Sequence, residues 1–234
     1  MSERGSKFDR ERHGRELVNV GVAAEAKEGK ERCQDSKIND PERGLFMVAD
    51  GTSTSDGARA SQTVGEYAQR YLGDDLDNGI ENNLHSADLT FDERLQHVDA
   101  LVKVNMIRAI NESHDLLRAG DKDATTTMSL TKLVGLPTGK SRMYFANIGD
   151  SRVYVLRGRK IEKLTMDDNA ITEYIGTEIA PGKPFTKEDA RTVDQAKSKD
   201  ELTEIQSMVK RFAGPNITKA LGSKRRENAD LGFV

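Results

Sequence analysis

Five apolar residues in a row, Leu45–Ala49, are followed directly by Asp50-Gly51. An uninterrupted apolar run of this length, bounded by turn residues, predicts a strand that is buried on both faces. A carboxylate at the end of such a strand stands on a rigid element beside a polar loop, an arrangement that hard cations such as Mg²⁺ and Mn²⁺ bind. Asp-Gly is also common turn chemistry. The dipeptide alone therefore indicates either a metal ligand or a tight turn.

The composition disfavours a nucleic-acid-binding, a disulfide-bonded and a membrane-spanning protein. At 234 residues the chain suffices for one sizeable domain, and its 36 Lys and Arg nearly balance its 39 Asp and Glu, so no basic footprint indicates nucleic acid. Cys33 is the only cysteine, which excludes an intrachain disulfide and suits a reducing compartment. No apolar stretch reaches the length of a membrane span or forms a signal-peptide core. We expect a cytoplasmic monomer without a membrane or nucleic-acid partner, with residues 1–16 as a disordered charged leader and residues 17–234 as the domain.

Hydrophobic periodicity and turn residues predict the secondary structure. Strands are expected at Val18–Ala24, Leu45–Ala49, Thr126–Leu133, Met143–Ile148, Val153–Arg157 and Lys160–Leu164. The last three follow one another through tight turns, which predicts an antiparallel meander. Helices are expected at Ala58–Leu72 and Phe91–Leu117, and Asp74–Asn83 is interpreted as an acidic loop. The buried stripe of the second helix is expected at Leu95, Val98, Leu101, Val102, Val104, Ile107, Ile110 and Leu117.

Four acidic residues stand at strand ends or in the adjacent turns: Asp35, Asp50, Asp150 and Asp168. Converging carboxylates repel one another, and a divalent cation is the usual way to hold them together. The absence of a His/Cys cluster disfavours zinc. Two neighbouring cations can share a water, lower its pKa and direct it at phosphorus. The pattern favours a magnesium- or manganese-type centre for phosphate ester hydrolysis, while ordinary turn roles for these acids remain an alternative.

Several segments in a fixed order resemble the metal-dependent protein phosphatases of the protein phosphatase 2C family. These segments are Phe46–Gly51, Ala124–Thr127, Tyr144–Arg152, Leu164–Asn169 and Ile217–Gly222. The Ala-Asn-Ile-Gly-Asp-Ser-Arg stretch is the most specific of them. The resemblance implies an α+β fold of two packed antiparallel sheets flanked by helices, an α-β-β-α sandwich.

The resemblance also implies a set of metal ligands. Asp50 would bridge two Mg²⁺ or Mn²⁺ ions, and the Gly51 carbonyl would bind one of them. Asp35 would complete the metal shell, largely through water, and Asp150 would belong to a third, weaker metal site.

The implied reaction is hydrolysis of phosphoserine and phosphothreonine in a phosphorylated protein substrate, in cellular signalling. A metal-activated water would attack directly, so no side chain acts as the catalytic nucleophile. A basic residue ahead of Asp35 would bind the substrate phosphate, with Lys30 and Arg32 as candidates, and Arg suits bidentate phosphate contacts better.

The sequence departs from the family pattern at several points. Gln34 stands where an acid is usual, and Thr52–Ser55 replaces a glycine-rich continuation. Two further metal-binding aspartates of the family would lie beyond Val234, so we expect a C-terminally incomplete domain with little or no activity by itself. The alternatives are a catalytically inactive pseudophosphatase that acts as a binding or regulatory module, and a regulatory phosphatase with one dedicated phosphoprotein substrate.

Overall fold

The computed structural model of the chain describes residues 33–52, 56–120, 124–168 and 230–233, together with residues 192, 203, 220, 221 and 223. The predicted leader, the predicted strand Val18–Ala24 and the candidate phosphate-binding residues Lys30 and Arg32 lie outside these residues. No helix within the described ranges is long and apolar enough to cross a membrane.

The described part of the chain contains three helices and seven strands in an α+β arrangement with antiparallel pairing, which confirms the predicted class. In chain order they are β1 (Ser36–Asp40), β2 (Leu45–Ala49), α1 (Gly57–Leu72), α2 (Asp74–Leu84), α3 (Phe91–Ala119), β3 (Met128–Gly135), β4 (Ser141–Ile148), β5 (Tyr154–Arg157), β6 (Lys160–Lys163) and β7 (Asp230–Phe233). Five strands form one sheet in the order β1-β2-β3-β4-β7, and β5 and β6 form a second.

The main core lies between the five-stranded sheet and the helices. It joins apolar residues of β1–β4 to α1, α2 and α3, among them Met47, Val64, Val102 and Leu130. In β2, Leu45, Met47 and Ala49 are buried, whereas Val48 is 49% exposed. The prediction that this strand is buried on both faces is therefore wrong. Side chains of a strand alternate between faces, and only one face of β2 is covered in the described structure.

The segment predicted as an acidic loop is the helix α2. Its apolar residues Leu76, Ile80 and Leu84 recur at four-residue spacing and are all buried, which is the pattern of an amphipathic helix. Asp74, Asp75 and Asp77 occupy the first turn, where the helix dipole favours negative charge. The acidic and amide-rich composition obscured this spacing in the sequence.

Helix α3 begins at a capping box. The Thr90 hydroxyl accepts a hydrogen bond from the Glu93 N–H, and the Glu93 carboxylate accepts one from the Thr90 N–H. The predicted stripe is correct at Val98, Val102, Ile110 and Leu117, but Val104 and Ile107 are exposed. Met106, Ala109, Ser113 and His114 are buried instead, because they share a helical face with Val98 and Val102.

Two strand predictions need correction. The short strand β1 was missed, and it pairs with β2 across the turn at residues 41–44. The predicted meander is wrong, because β5 does not continue from β4 in the same sheet. β4 already pairs with β3 on one side and β7 on the other, so it offers β5 no free edge. β5 pairs with β6 instead, in a separate two-stranded sheet.

Candidate functional site

The end of the β1–β2 hairpin brings two predicted ligands together. Ser36 pairs with Ala49, so Asp35, directly before β1, and Asp50, directly after β2, lie at the same end of the sheet. The Gly51 N–H donates a hydrogen bond to the Gln34 carbonyl at 3.2 Å, which extends the pairing past the strands. Both aspartates are exposed at this edge. Hairpin pairing thus places two carboxylates side by side where a solvent-borne ion can reach them.

The backbone of Asp50 is fixed from the neighbouring chain segment. Its carbonyl accepts hydrogen bonds from the Thr127 N–H and from the Thr126 hydroxyl, both at 2.9 Å. Its own N–H donates to the Thr127 hydroxyl at 3.1 Å. The Asp50 side chain therefore extends from a backbone that three hydrogen bonds hold in place at the end of β2. Sequence reasoning gave Thr126 and Thr127 no role, although both belong to a segment that carried the family resemblance.

Gly51 lies where the chain has no room for a side chain. A Cβ added there would lie 2.5 Å from the Gln34 carbonyl oxygen and would also clash with the Gly57 carbonyl at the start of α1. Glycine lets the backbone pass between β1 and α1 and keeps the Gly51 peptide next to Asp50.

A hydroxyl pair connects Asp50 to the turn that carries Asp150. The Thr127 and Ser151 hydroxyl oxygens are 2.7 Å apart and hydrogen-bonded. Since Thr127 also bonds the Asp50 backbone and Ser151 follows Asp150 directly, the ends of β2 and β4 meet at one edge of the sheet. The third predicted ligand is thereby attached to the same edge as the first two.

Asp168 stabilises the turn after β4. Its N–H donates to the Gly149 carbonyl at 3.0 Å, and its carboxylate accepts from the Gly149 N–H at 3.0 Å. Asn147 supports the turn from inside the sheet: its side-chain amide donates to the Gly149 carbonyl at 3.3 Å, and its amide oxygen accepts from Ser129 at 2.5 Å. Gly149 has φ of 97°, a conformation that favours glycine.

Asp167 lies at the centre of a charged network beside this turn. The Arg152 Nε contacts both of its carboxylate oxygens at 3.0 Å, and the Lys163 Nζ contacts one at 2.8 Å. The Lys163 side chain is only 3% exposed, so this carboxylate compensates a buried charge. Burial raises the pKa of Asp150, and the negative charge of Asp167 raises it further.

The chemistry of the Asp35, Asp50 and Gly51 oxygens fits a hard divalent cation, which prefers carboxylate, carbonyl and water ligands. Within the described ranges, no group of three or more His, Cys, Asp or Glu side chains lies close enough together to hold a metal ion. The described residues thus supply two neighbouring carboxylates and a backbone carbonyl, and not a complete set of metal ligands. The individual metal-binding roles of Asp35, Asp50, Gly51 and Asp150 stay predictions.

The fold is similar to several solved protein phosphatases. The chain shares 19% identity with the serine/threonine phosphatase MsPP of Mycobacterium smegmatis, at a TM-score of 0.51, over 92% of this chain and 72% of that one. It shares 18% identity with Stp1 of Staphylococcus aureus, at a TM-score of 0.53, over 92% and 73%. The S. agalactiae serine/threonine phosphatase matches at 18% identity and a TM-score of 0.54, over 91% and 72%.

Sequence comparison identifies the family directly. No curated protein sequence matches the chain. The sequence model of protein phosphatase 2C matches residues 24–200, which is most of the chain and includes the Asp35, Asp50 and Asp150 segments. The chain belongs to the protein phosphatase 2C family.

Proposed function

We propose that the chain is the catalytic domain of a metal-dependent protein serine/threonine phosphatase, which hydrolyses phosphoserine and phosphothreonine with Mg²⁺ or Mn²⁺. The observation that supports this most is the common edge of the sheet where β1 begins and β2 and β4 end. Asp35 and Asp50 are paired there, and the Thr127–Ser151 hydrogen bond ties them to the Asp150 turn.

In this proposal each residue has one task. Asp50 and the Gly51 carbonyl would hold cations from a backbone that three hydrogen bonds keep in place. Asp35 would contribute from the adjacent strand. Bound divalent cations neutralise phosphate charge and lower the pKa of a coordinated water, which is the chemistry that phosphate ester hydrolysis needs. Arg32 or Lys30 would bind the substrate phosphate, with Arg better suited to two parallel hydrogen bonds.

The test compares Asp50→Asn, Asp35→Asn and the control Asp88→Asn, which changes an exposed acid in the turn between α2 and α3. Calorimetry measures manganese binding, and release of phosphate from a phosphothreonine peptide measures activity. We expect Asp50→Asn to weaken manganese binding more than about tenfold and more than Asp35→Asn, because a bridging ligand contacts two cations. Asp88→Asn should bind as the wild type does. Equal effects of Asp50→Asn and Asp35→Asn would contradict the bridging role.

A second candidate function is that of a pseudophosphatase, which binds a phosphoprotein without hydrolysing it. The arrangement of the acids favours it: the described residues contain no metal-holding group of three side chains, and the uncharged Gln34 precedes Asp35. Because this chain by itself is expected to have little or no activity, the two functions are distinguished in a longer chain that also supplies the two further aspartates of the family. Manganese-dependent phosphate release that Asp50→Ala abolishes supports the phosphatase, whereas phosphopeptide binding without any release supports the pseudophosphatase.

A further inference from the structure

The tip of the β5–β6 hairpin is a basic and apolar patch. Residues 156–161 read Leu-Arg-Gly-Arg-Lys-Ile, with three cationic side chains and no acid, in a chain whose net charge is −3. Leu156 is 65% exposed and Ile161 58% exposed. These two residues pair directly across the strands, so their side chains lie next to each other on one face. We call this six-residue segment the hairpin tip.

The hairpin tip is held in shape by a tight turn. Arg157 pairs with Lys160, which leaves only Gly158 and Arg159 in the loop. Gly158 has φ of 62°, as the favoured two-residue hairpin turns require at their first position. A preformed turn presents its side chains at a small cost in conformational entropy, which favours binding.

The base of the same hairpin adjoins the candidate site. One strand follows the Gly149–Ser151 turn, and the other returns to Asp168, whose N–H bonds the Gly149 carbonyl at 3.0 Å. Between them, Leu164 donates to the Val153 carbonyl at 2.9 Å. Arg157 is seven positions after Asp150 in the chain. At roughly 3.3 Å per extended residue the tip lies within about 23 Å of Asp150, a span that about seven residues of a bound peptide can cover.

Single exposed apolar residues need no explanation, whereas Leu156 and Ile161 form an adjacent exposed pair on one face of the hairpin tip. Arg157 and Lys160 pair on the opposite face, because successive side chains of a strand alternate, so a segment that wraps the tip can contact both faces. Carboxylates of a partner would meet Arg157, Arg159 and Lys160, and an aliphatic side chain would cover Leu156 and Ile161. An anionic lipid surface offers related chemistry. The position of the hairpin beside the phosphate ester site favours the protein substrate, because one polypeptide can occupy both places at once.

We propose that the hairpin tip binds an acidic segment with an aliphatic residue, three to seven positions from the phosphoserine or phosphothreonine of the substrate. This inference rests on the proposed function, since it takes the substrate to be a phosphoprotein. In this proposal the β5–β6 hairpin selects the substrate, and the proposed metal ligands carry out the hydrolysis.

The experiment measures binding of two fluorescent phosphothreonine peptides by anisotropy. One carries Glu and Leu at positions three to seven on both sides of the phosphothreonine, and the other carries Lys and Ser there. Lys160→Glu is compared with the matched control Lys140→Glu. Lys140 is also exposed, in the loop between β3 and β4, but it directly precedes β4 and so lies at the opposite end of that strand from Gly149. Leu156→Ser/Ile161→Ser tests the apolar part of the patch without changing charge.

We expect the wild type to bind the acidic peptide at least about fivefold more tightly than the basic one. Lys160→Glu should weaken acidic-peptide binding about threefold to tenfold, since it replaces an attraction with a repulsion, and Leu156→Ser/Ile161→Ser should weaken it about threefold. Lys140→Glu should stay within about twofold of the wild type. Circular dichroism checks that each variant is folded.

Equal affinity for the two peptides, or equal effects of Lys160→Glu and Lys140→Glu, would overturn the inference. Hairpin-dependent binding to phosphatidylserine vesicles without a peptide preference would also overturn it, in favour of a lipid surface. Hydrolysis of p-nitrophenyl phosphate separates the proposed phosphatase function from the docking inference, because this substrate has no flanking residues that could contact the hairpin tip. A hairpin-dependent peptide preference without any hydrolysis, in a longer chain that supplies the two further aspartates of the family, contradicts the proposed function alone. Hydrolysis without such a preference contradicts the docking inference alone.

Discussion

The β1–β2 and β5–β6 hairpins share one backbone feature and have very different surroundings. Each turns at a glycine of positive φ, 61° at Gly44 and 62° at Gly158. The turn of the first is enclosed: a Cβ on Gly44 would lie 2.6 Å from the Leu133 carbonyl oxygen, whereas a Cβ on Gly158 would meet nothing within 4 Å.

The contacts that hold the two hairpins also differ: the first turn is bonded to neighbouring elements, and the second hairpin packs on a small cluster. Arg43 bonds Asp40 and Asp74, which ties the first turn to α2, and its carbonyl accepts from the fully buried Lys132 Nζ at 2.8 Å. The second hairpin rests on the small apolar cluster of Phe145, Val153 and Leu164. A turn glycine of positive φ therefore occurs both in a hairpin that is part of the core and in one whose tip is exposed to solvent.

The largest expected effect comes from a matched pair of substitutions in the two hairpins. Leu45 in β2 is 1% exposed and Leu156 in β5 is 65% exposed. Leu45→Ala removes buried methyl groups and leaves a cavity, so it should lower the free energy of unfolding by about 2–5 kcal/mol. Leu156→Ala should change it by less than about 0.5 kcal/mol. Urea denaturation measures both, and comparable losses would show that the second hairpin is buried.

Asp167→Asn should destabilise the second hairpin locally. The substitution leaves the buried Lys163 charge uncompensated and removes the Arg152 contacts, at an expected cost of about 2–3 kcal/mol. Hydrogen exchange should accelerate for the amides of β5 and β6 and stay unchanged in β2 and β3. Equal acceleration in both regions would show that the two hairpins unfold as one unit.

Two glycine substitutions should differ because of their surroundings. Gly158→Ala is expected to cost about 1 kcal/mol, the ordinary penalty for placing a side chain on left-handed backbone. Gly44→Ala should cost more, because the Leu133 carbonyl must also move. Thermal unfolding of both variants measures the difference, and equal shifts in Tm would mean that the first turn relaxes freely.

The smallest expected effect is a pH dependence at the first turn. Burial raises the pKa of Asp40, but hydrogen bonds from the Arg43 N–H and guanidinium outweigh it, so the pKa lies below its ordinary value of 3.8. A carboxyl with a lowered folded pKa stabilises the protein above its unfolded pKa and loses that contribution as the pH falls through the folded pKa.

Asp40→Asn should therefore reduce the free energy of unfolding at pH 6 by less than about 1 kcal/mol, and the difference should shrink below pH 3.8. Urea denaturation at several pH values measures this. Arg43→Ala should remove most of the same pH dependence, and an effect of Asp40→Asn that grows at low pH would contradict the assignment.

Most individual elements could be predicted because their signals are local. The period of apolar residues located α1, α3 and β2–β6 within a few residues of their observed ends. Strand β1 and helix α2 were missed. In α2 the four-residue apolar spacing was present, but the acidic residues of its first turn were interpreted as loop composition. The proximity of Asp35 and Asp50 was also predictable, since a turn of only four residues joins their strands.

The sequence by itself determined the tight turns, the helix cap at Thr90 and the four-residue apolar spacing of α2, because each depends on residues a few positions apart. Only the tertiary structure decided which face of β2 is buried, that β4 pairs with β7, and that Thr127 joins Asp50 to Ser151. The last contact spans 24 residues and the Asp50–Thr127 bond spans 77. Such contacts depend on the register of distant strands, which is fixed by packing of the whole sheet against the helices rather than by neighbouring residues.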